Sequence, residues 1–145
     1  MKRKILLVED EIFIRELYQK VLTTAGYDVV MAEDGALGLE RARGDKYDMI
    51  LLDIMLPKMT GIDVLKEIKK DSSEYLRSIP IFLLTNLGQE SIIKEAFKIG
   101  ANGYLLKAKY LPNQIINEID AYFKNNPSSS TAASAQPPIG TPPLV

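Results

Sequence analysis

Five short runs, apolar but for Asp28 at the head of the second, at residues 5–8, 28–32, 49–52, 80–84 and 104–106, alternate with longer amphipathic stretches along this chain. The runs at 5–8 and 49–52 contain no polar residue at all. A strand with one face in water alternates apolar and polar side chains, so an unbroken apolar run belongs in a sheet covered on both faces. The stretches between the runs have helical period. Leu17, Tyr18, Val21, Leu22 and Ala25 share one face of a helix over about 11–25, at the spacings of three and four that an amphipathic helix uses. Gly26 supplies its C-terminal stop. Asp34 and Gly35 turn the chain into a short second helix ending near Gly44. Ile62, Leu65 and Ile68 mark a third helix, and Ile92, Ile93, Ala96 and Phe97, closed by Gly100, a fourth. Ile115, Ile116, Ile119, Tyr122 and Phe123 mark a fifth. Strands alternating with helices predict an α/β fold, a doubly wound five-stranded parallel sheet with right-handed crossovers and helices on both faces.

The same sheet limits the chemistry. With no cysteine and no histidine among 145 residues, the chain has no disulfide framework, no thiolate nucleophile and no imidazole base or ligand. Carboxylates, hydroxyls, lysine and backbone amides must do whatever is done here. Eighteen basic against nineteen acidic side chains leave a net charge of −1, which offers no general field for nucleic acid or an anionic membrane. The opening residues are too short and too quickly acidic for a signal peptide, and no apolar run reaches membrane-spanning length. A cytoplasmic location is therefore expected. Residues 1–125 read as one domain, whereas 126–145 are rich in Pro, Ser and Ala, a composition expected of a flexible tail or linker.

In an open parallel sheet, ligands bind outside the carboxyl ends of the strands. Glu9, Asp10 and Glu11 follow the first strand, Asp53 the third, Thr85 the fourth and Lys107 the fifth. Clustered carboxylates repel one another unless a cation intervenes. A hard, oxygen-seeking ion such as Mg²⁺ suits that donor set. The same ion would neutralise the oxygens of a phosphoryl group, Lys107 would add a compact positive charge, and Thr85 would add a donor. These are the parts needed to form an aspartyl phosphate.

The segments that carry these groups resemble the response-regulator receiver domain of two-component signalling, over about residues 4–123. Leu6-Leu7-Val8-Glu9-Asp10-Glu11 is similar to the family's first strand and acidic cluster. Leu52-Asp53-Ile54-Met55-Leu56-Pro57, continuing to Gly61, resembles its phosphoacceptor loop. Leu84-Thr85-Asn86 and the segment from Gly100 to Lys107 match the positions of the switch hydroxyl, switch aromatic and lysine. The resemblance implies the flavodoxin-like strand order 2-1-3-4-5, Asp53 as phosphoacceptor, and Mg²⁺ held by Glu9, Asp10, Asp53 and the backbone carbonyl of Met55. It also implies Thr85 and Lys107 on the phosphoryl group, and Tyr104 turning inward when Thr85 moves. That shift would remodel the face made by the fourth helix, fifth strand and fifth helix. The implied partners are a histidine kinase or phosphotransfer protein and a downstream target protein, with a phosphorylation-dependent dimer as a further outcome. Direct nucleic-acid or membrane binding is not expected, and neither is enzymatic activity beyond the domain's own phosphorylation and dephosphorylation. Three positions depart from the pattern: Glu9 where Asp is frequent, Asn86 where a smaller residue is common, and Ala108 in place of the usual proline. The peptide before that proline is typically cis, and residues 107–108 leave cis and trans both open.

The same residues bear on other functions of this sheet. A phosphatase of the haloacid-dehalogenase type needs a second aspartate two residues after the first, where this chain has Met55. A flavin carrier of the same sheet order needs a hydroxyl-rich phosphate loop where Glu9, Asp10 and Glu11 stand. A degenerate receiver acting as a phosphorylation-independent binding module, or a receiver cut from a larger regulator, stays open.

Overall fold

The computed structural model describes residues 2–86, 88–107 and 112–127. The 107–108 peptide and the expected tail from residue 128 onward lie outside the described residues. Five strands form the sheet: β1 (Lys4–Val8), β2 (Asp28–Ala32), β3 (Met49–Asp53), β4 (Ile81–Thr85) and β5 (Gly103–Leu106). Every pairing is parallel and the order is β2-β1-β3-β4-β5. Fold class, strand order and the positions of all five strands are as the sequence predicted.

The helices are α1 (Ile12–Thr24), α2 (Gly35–Gly44), α3 (Gly61–Lys69), α4 (Glu74–Ser78), α5 (Glu90–Ile99) and α6 (Pro112–Asn125). Strand periodicity sorts the core into two layers. Leu6, Val8, Ile50, Leu52, Ile81, Leu83, Tyr104 and Leu106 face α2 to α5, while Ile5, Leu7, Met49, Leu51, Phe82, Leu84 and Leu105 face α1 and α6. Strands covered on both sides are why these runs could be apolar without interruption. Each fully buried Leu or Ile among them contributes roughly 1.5–3 kcal/mol relative to exposure.

Two details differ from the sequence reading. A sixth helix, α4, precedes β4; its Ser73 hydroxyl accepts the Leu76 amide at 3.1 Å and Leu76 is buried. Five residues are too few to display a period, so the sequence predicts no element there. The fourth and fifth helices of the sequence reading are thus α5 and α6. On α1, Tyr18 and Leu22 are buried and Ile14 and Val21 pack beside them, but Leu17 is 42% exposed and Ala25 is exposed. The buried stripe is rotated from the expected one, because the helix begins at Ile12 and its core side is set by the sheet beneath it.

The far end of α6 is fastened to the base of the sheet. The Tyr27 hydroxyl donates to the Asp120 carboxylate, and the Arg3 guanidinium lies 4.4 Å from the centre of the Phe123 ring. The start of α6 rests on an apolar seam formed by Pro112, Ile115 and Ile116 with Tyr18, Val21 and Leu22 of α1.

Candidate metal centre

Backbone pairing continues one residue beyond three strands and fixes where the polar side chains stand. The Glu9 amide donates to the Ala32 carbonyl at 3.0 Å, the Ile54 amide to Leu84 at 3.2 Å, and the Lys107 amide to Thr85 at 2.8 Å. The register sets Val8 beside Leu52 and Asp53 beside Leu84. Glu9, Asp53 and Lys107 therefore leave an apolar sheet at one level and meet there.

One oxygen from each of Glu9, Asp10 and Asp53 lies within 4.8 Å of the others. Glu9 is fully buried and Asp53 is 3% exposed, while Asp10 is open to solvent. The Lys107 ammonium sits 2.9 Å from Glu9 Oε1 and 3.4 Å from Asp53 Oδ2. Burial is the main influence on Asp53, followed by the negative charge of Glu9; together they outweigh Lys107 and push the carboxyl up to about 7. Burial alone would lower Lys107, but its hydrogen bond to Glu9 and the charges of Asp53 and Glu9 hold it above the usual lysine value. Among the described residues the cluster sets three carboxylates against one ammonium, which leaves it short of positive charge, and oxygen donors of this kind fit a hard divalent cation.

Local contacts shape the rim. Glu11 turns away from the cluster and caps α1, accepting the amides of Phe13 and Ile14 at 3.1 and 3.4 Å. The other Glu9 oxygen accepts the Glu11 amide at 3.1 Å. Asp53 Oδ1 accepts the Met55 amide at 3.3 Å, which turns the loop beside the carboxylate. Gly61, at the head of α3, lies against the Asp53 carbonyl; a Cβ there would stand 2.3 Å from it. The Met55 side chain is exposed. Thr85 is fully buried at the end of β4, and its hydroxyl donates to the Asn86 carbonyl at 3.2 Å. Tyr104 is buried in the layer facing α5, with its ring edge-on to Phe97 at 6.0 Å. Glu9, Asp10, Asp53 and Lys107 are thus brought together, while Thr85 ends the strand between those that carry Asp53 and Lys107, and Tyr104 is buried beside Phe97. Sequence reasoning missed Arg15, whose guanidinium donates to the carbonyls of Glu9 and Asp10 at 2.9 and 3.2 Å and so fixes the acidic turn. A lone arginine in a helix's first turn carries no signal of such a contact.

Comparison with known proteins agrees with this geometry. Residues 5–120 match the family described as the response regulator receiver domain. The chain is 32% identical over 127 residues to the transcriptional regulatory protein CrdR of Helicobacter pylori, covering 88% of this chain and 58% of that protein. Against the alkaline phosphatase synthesis transcriptional regulatory protein PhoP of Bacillus subtilis it is 35% identical, over 87% of this chain and 50% of that protein. The chain thus spans about half the length of these regulators. The chemotaxis protein CheY of Thermotoga maritima is 30% identical, over 86% of this chain and all of that one. Among solved structures, the chemotaxis response regulator CheY4 of Vibrio cholerae superposes with a TM-score of 0.76 at 30% identity, over 83% of this chain and 98% of that chain. The receiver domain of a Pseudomonas aeruginosa sensor histidine kinase, described with a magnesium ion coordinated in its active-site cleft, gives 0.75 at 27% identity, over 86% and 99%. Because the family match runs from β1 into α6 and takes in every member of the carboxylate cluster together with its lysine, this chain belongs to the response regulator receiver domain family.

Proposed function

We propose that this chain is the phosphoacceptor receiver of a two-component phosphorelay. In this reading Asp53 takes a phosphoryl group from a phosphohistidine on a histidine kinase or phosphotransfer protein, with Mg²⁺ as cofactor. The observation that carries the reading is a buried carboxylate, Asp53, surrounded by two other carboxylates and one ammonium at the mouth of the sheet. Glu9, Asp10 and Asp53 would hold the ion, with the Met55 carbonyl as a further donor. When bound, the ion supplies positive charge for the carboxylates and for the transferred phosphoryl oxygens.

The chain's own residues do the rest. An Asp53 oxygen attacks phosphorus, a P–O bond forms, the P–N bond to the donor breaks, and imidazole leaves. Lys107, already 3.4 Å from Asp53, meets a phosphoryl oxygen once it yields Glu9. Thr85 meets another by turning its hydroxyl from the Asn86 carbonyl. Tyr104 packs against Phe97 of α5, so its repacking alters the face of α5, β5 and α6 that would contact a downstream protein. The domain catalyses its own phosphorylation and dephosphorylation only. It works in the cytoplasm through protein contacts, without binding nucleic acid or membrane; among the described residues no helix is long and apolar enough to cross one.

Intact mass after incubation with acetyl phosphate and Mg²⁺ tests the reading. The wild type gains one phosphoryl group, Asp53→Asn gains none, and omission of Mg²⁺ abolishes the gain. A wild type that stays at its starting mass would overturn it.

A further inference from the structure

Two glycines at the head of α2 touch both walls of the candidate site. A Cβ on Gly35 would stand 2.2 Å from the Met59 carbonyl oxygen and 2.8 Å from Met59 Cβ. A Cβ on Gly38 would stand 2.9 Å from both γ-carbons of Val8. Val8 immediately precedes Glu9, and Met59 belongs to the loop between Asp53 and α3. Residues three apart share one helix face, so a single side of one helix bears on the chain carrying Glu9 and Asp10 and on the loop carrying Met55.

That loop is under strain where the helix meets it. Lys58 is the one described non-glycine residue with positive φ, at 67°. The Met59 amide donates across it to the Pro57 carbonyl at 2.7 Å, a γ-turn of the rarer, strained hand. Asp34, which caps α2 by accepting the Leu37 amide at 2.8 Å, offers its other oxygen to the Lys58 ammonium at 3.5 Å. A strained turn persists only where its surroundings over-determine it, and here the surroundings are the cap residue and first residue of α2.

We infer that Gly35 and Gly38, with Asp34, are positioning residues that set the separation between the Glu9–Asp10 wall and the Asp53–Met55 wall, and through it the affinity of the site for a divalent cation. The metal part of this inference rests on the function proposed above; the bracing itself does not. Altering groups that orient metal ligands commonly changes affinity by about 10- to 100-fold, and that range sets the scale for a shift of the walls.

The test measures Mg²⁺ binding by calorimetry, and backbone amide resonances of Asp10 and Met55 in the metal-free protein. Gly35→Ala is expected to displace both resonances and to weaken Mg²⁺ binding by about 10-fold or more. Gly44→Ala, at the far end of the same helix with open space around its Cβ position, is expected to bind as the wild type does. Should Gly35→Ala fail to fold, Gly38→Ala with and without Val8→Ala decides the matter, since removal of the γ-carbons makes room for the added methyl. Weakened binding in Gly38→Ala, recovered in the double variant, supports the inference. Wild-type affinity and unmoved Asp10 and Met55 amides in a folded Gly35→Ala or Gly38→Ala overturn it. A wild type without Mg²⁺ affinity overturns the cation part together with the function reading, while displaced amides in Gly35→Ala would still uphold the brace.

Discussion

The two ends of the sheet handle charge in opposite ways. At the amino ends of the strands, Lys4 pairs with Asp45, Arg43 Nε lies 3.0 Å from Asp71, and Lys2 lies 3.9 Å from Asp28. Each cation there meets a carboxylate within reach of water. The hydrogen bond from Lys4 holds Asp45 below the usual carboxylate range, and the Ser73 amide, aided by Arg43, does the same for Asp71. At the carboxyl ends, one ammonium serves Glu9 and Asp53, and Asp53 moves the other way, up to about 7. The direction of the shift is what separates solvated ion pairs that decorate a fold from a cluster that stores repulsion for a ligand to relieve.

The largest expected effect comes from removing the ammonium that bridges Glu9 and Asp53 at the carboxyl end. Lys107→Met leaves the buried Glu9 and Asp53 carboxylates without their charge partner and should cost about 3 kcal/mol in urea unfolding at pH 8, with much of the loss recovered in excess Mg²⁺. An unchanged midpoint would show that the ammonium is not balancing the cluster. Asp53→Asn acts in the opposite sense and should stabilise the metal-free protein at pH 8 by on the order of 1–3 kcal/mol; a destabilised variant would contradict stored repulsion. A pH series on the metal-free wild type reads the same asymmetry. The folded state holds the Asp53 proton more tightly than the unfolded state, so the stability contributed by the protonated group is full below its ordinary value of 3.8 and is lost as pH rises towards about 7. Stability should fall across that window, and the fall should flatten in Asp53→Asn. The smallest effect belongs to the opposite edge: Lys4→Gln and Arg43→Gln, each breaking a solvated pair, should leave both the urea midpoint and Mg²⁺ affinity where they were.

Much of this contrast could be read before any coordinates, and for a physical reason. A strand buried on both faces is an apolar run, so the first polar residue after it marks the strand end, and that rule alone located Asp53 and Lys107. It also placed Glu9 and Thr85, both fully buried. What stayed hidden depends on contacts distant in sequence or on single backbone angles. Nothing in the chain announces that Glu11 caps α1 instead of joining the cluster, that Arg15 grips the acidic turn, or that Lys58 takes a positive φ. Leu17 looked like core because helical period identifies an apolar stripe but not the few tens of degrees by which the sheet beneath rotates it. The short α4, held by the Ser73 cap and one buried leucine, has too few residues to leave a pattern.

The fastening of α6 has a mechanical consequence. Its bond from Tyr27 to Asp120 and its stacking of Arg3 on Phe123 are directional contacts in the second half of the helix. Its first turns meet α1 through Pro112, Ile115 and Ile116, contacts whose attraction is non-directional. A displacement that preserves both fastenings is therefore a tilt, with its fulcrum near Asp120 and its widest swing at Pro112, on the side of the molecule where β5 ends.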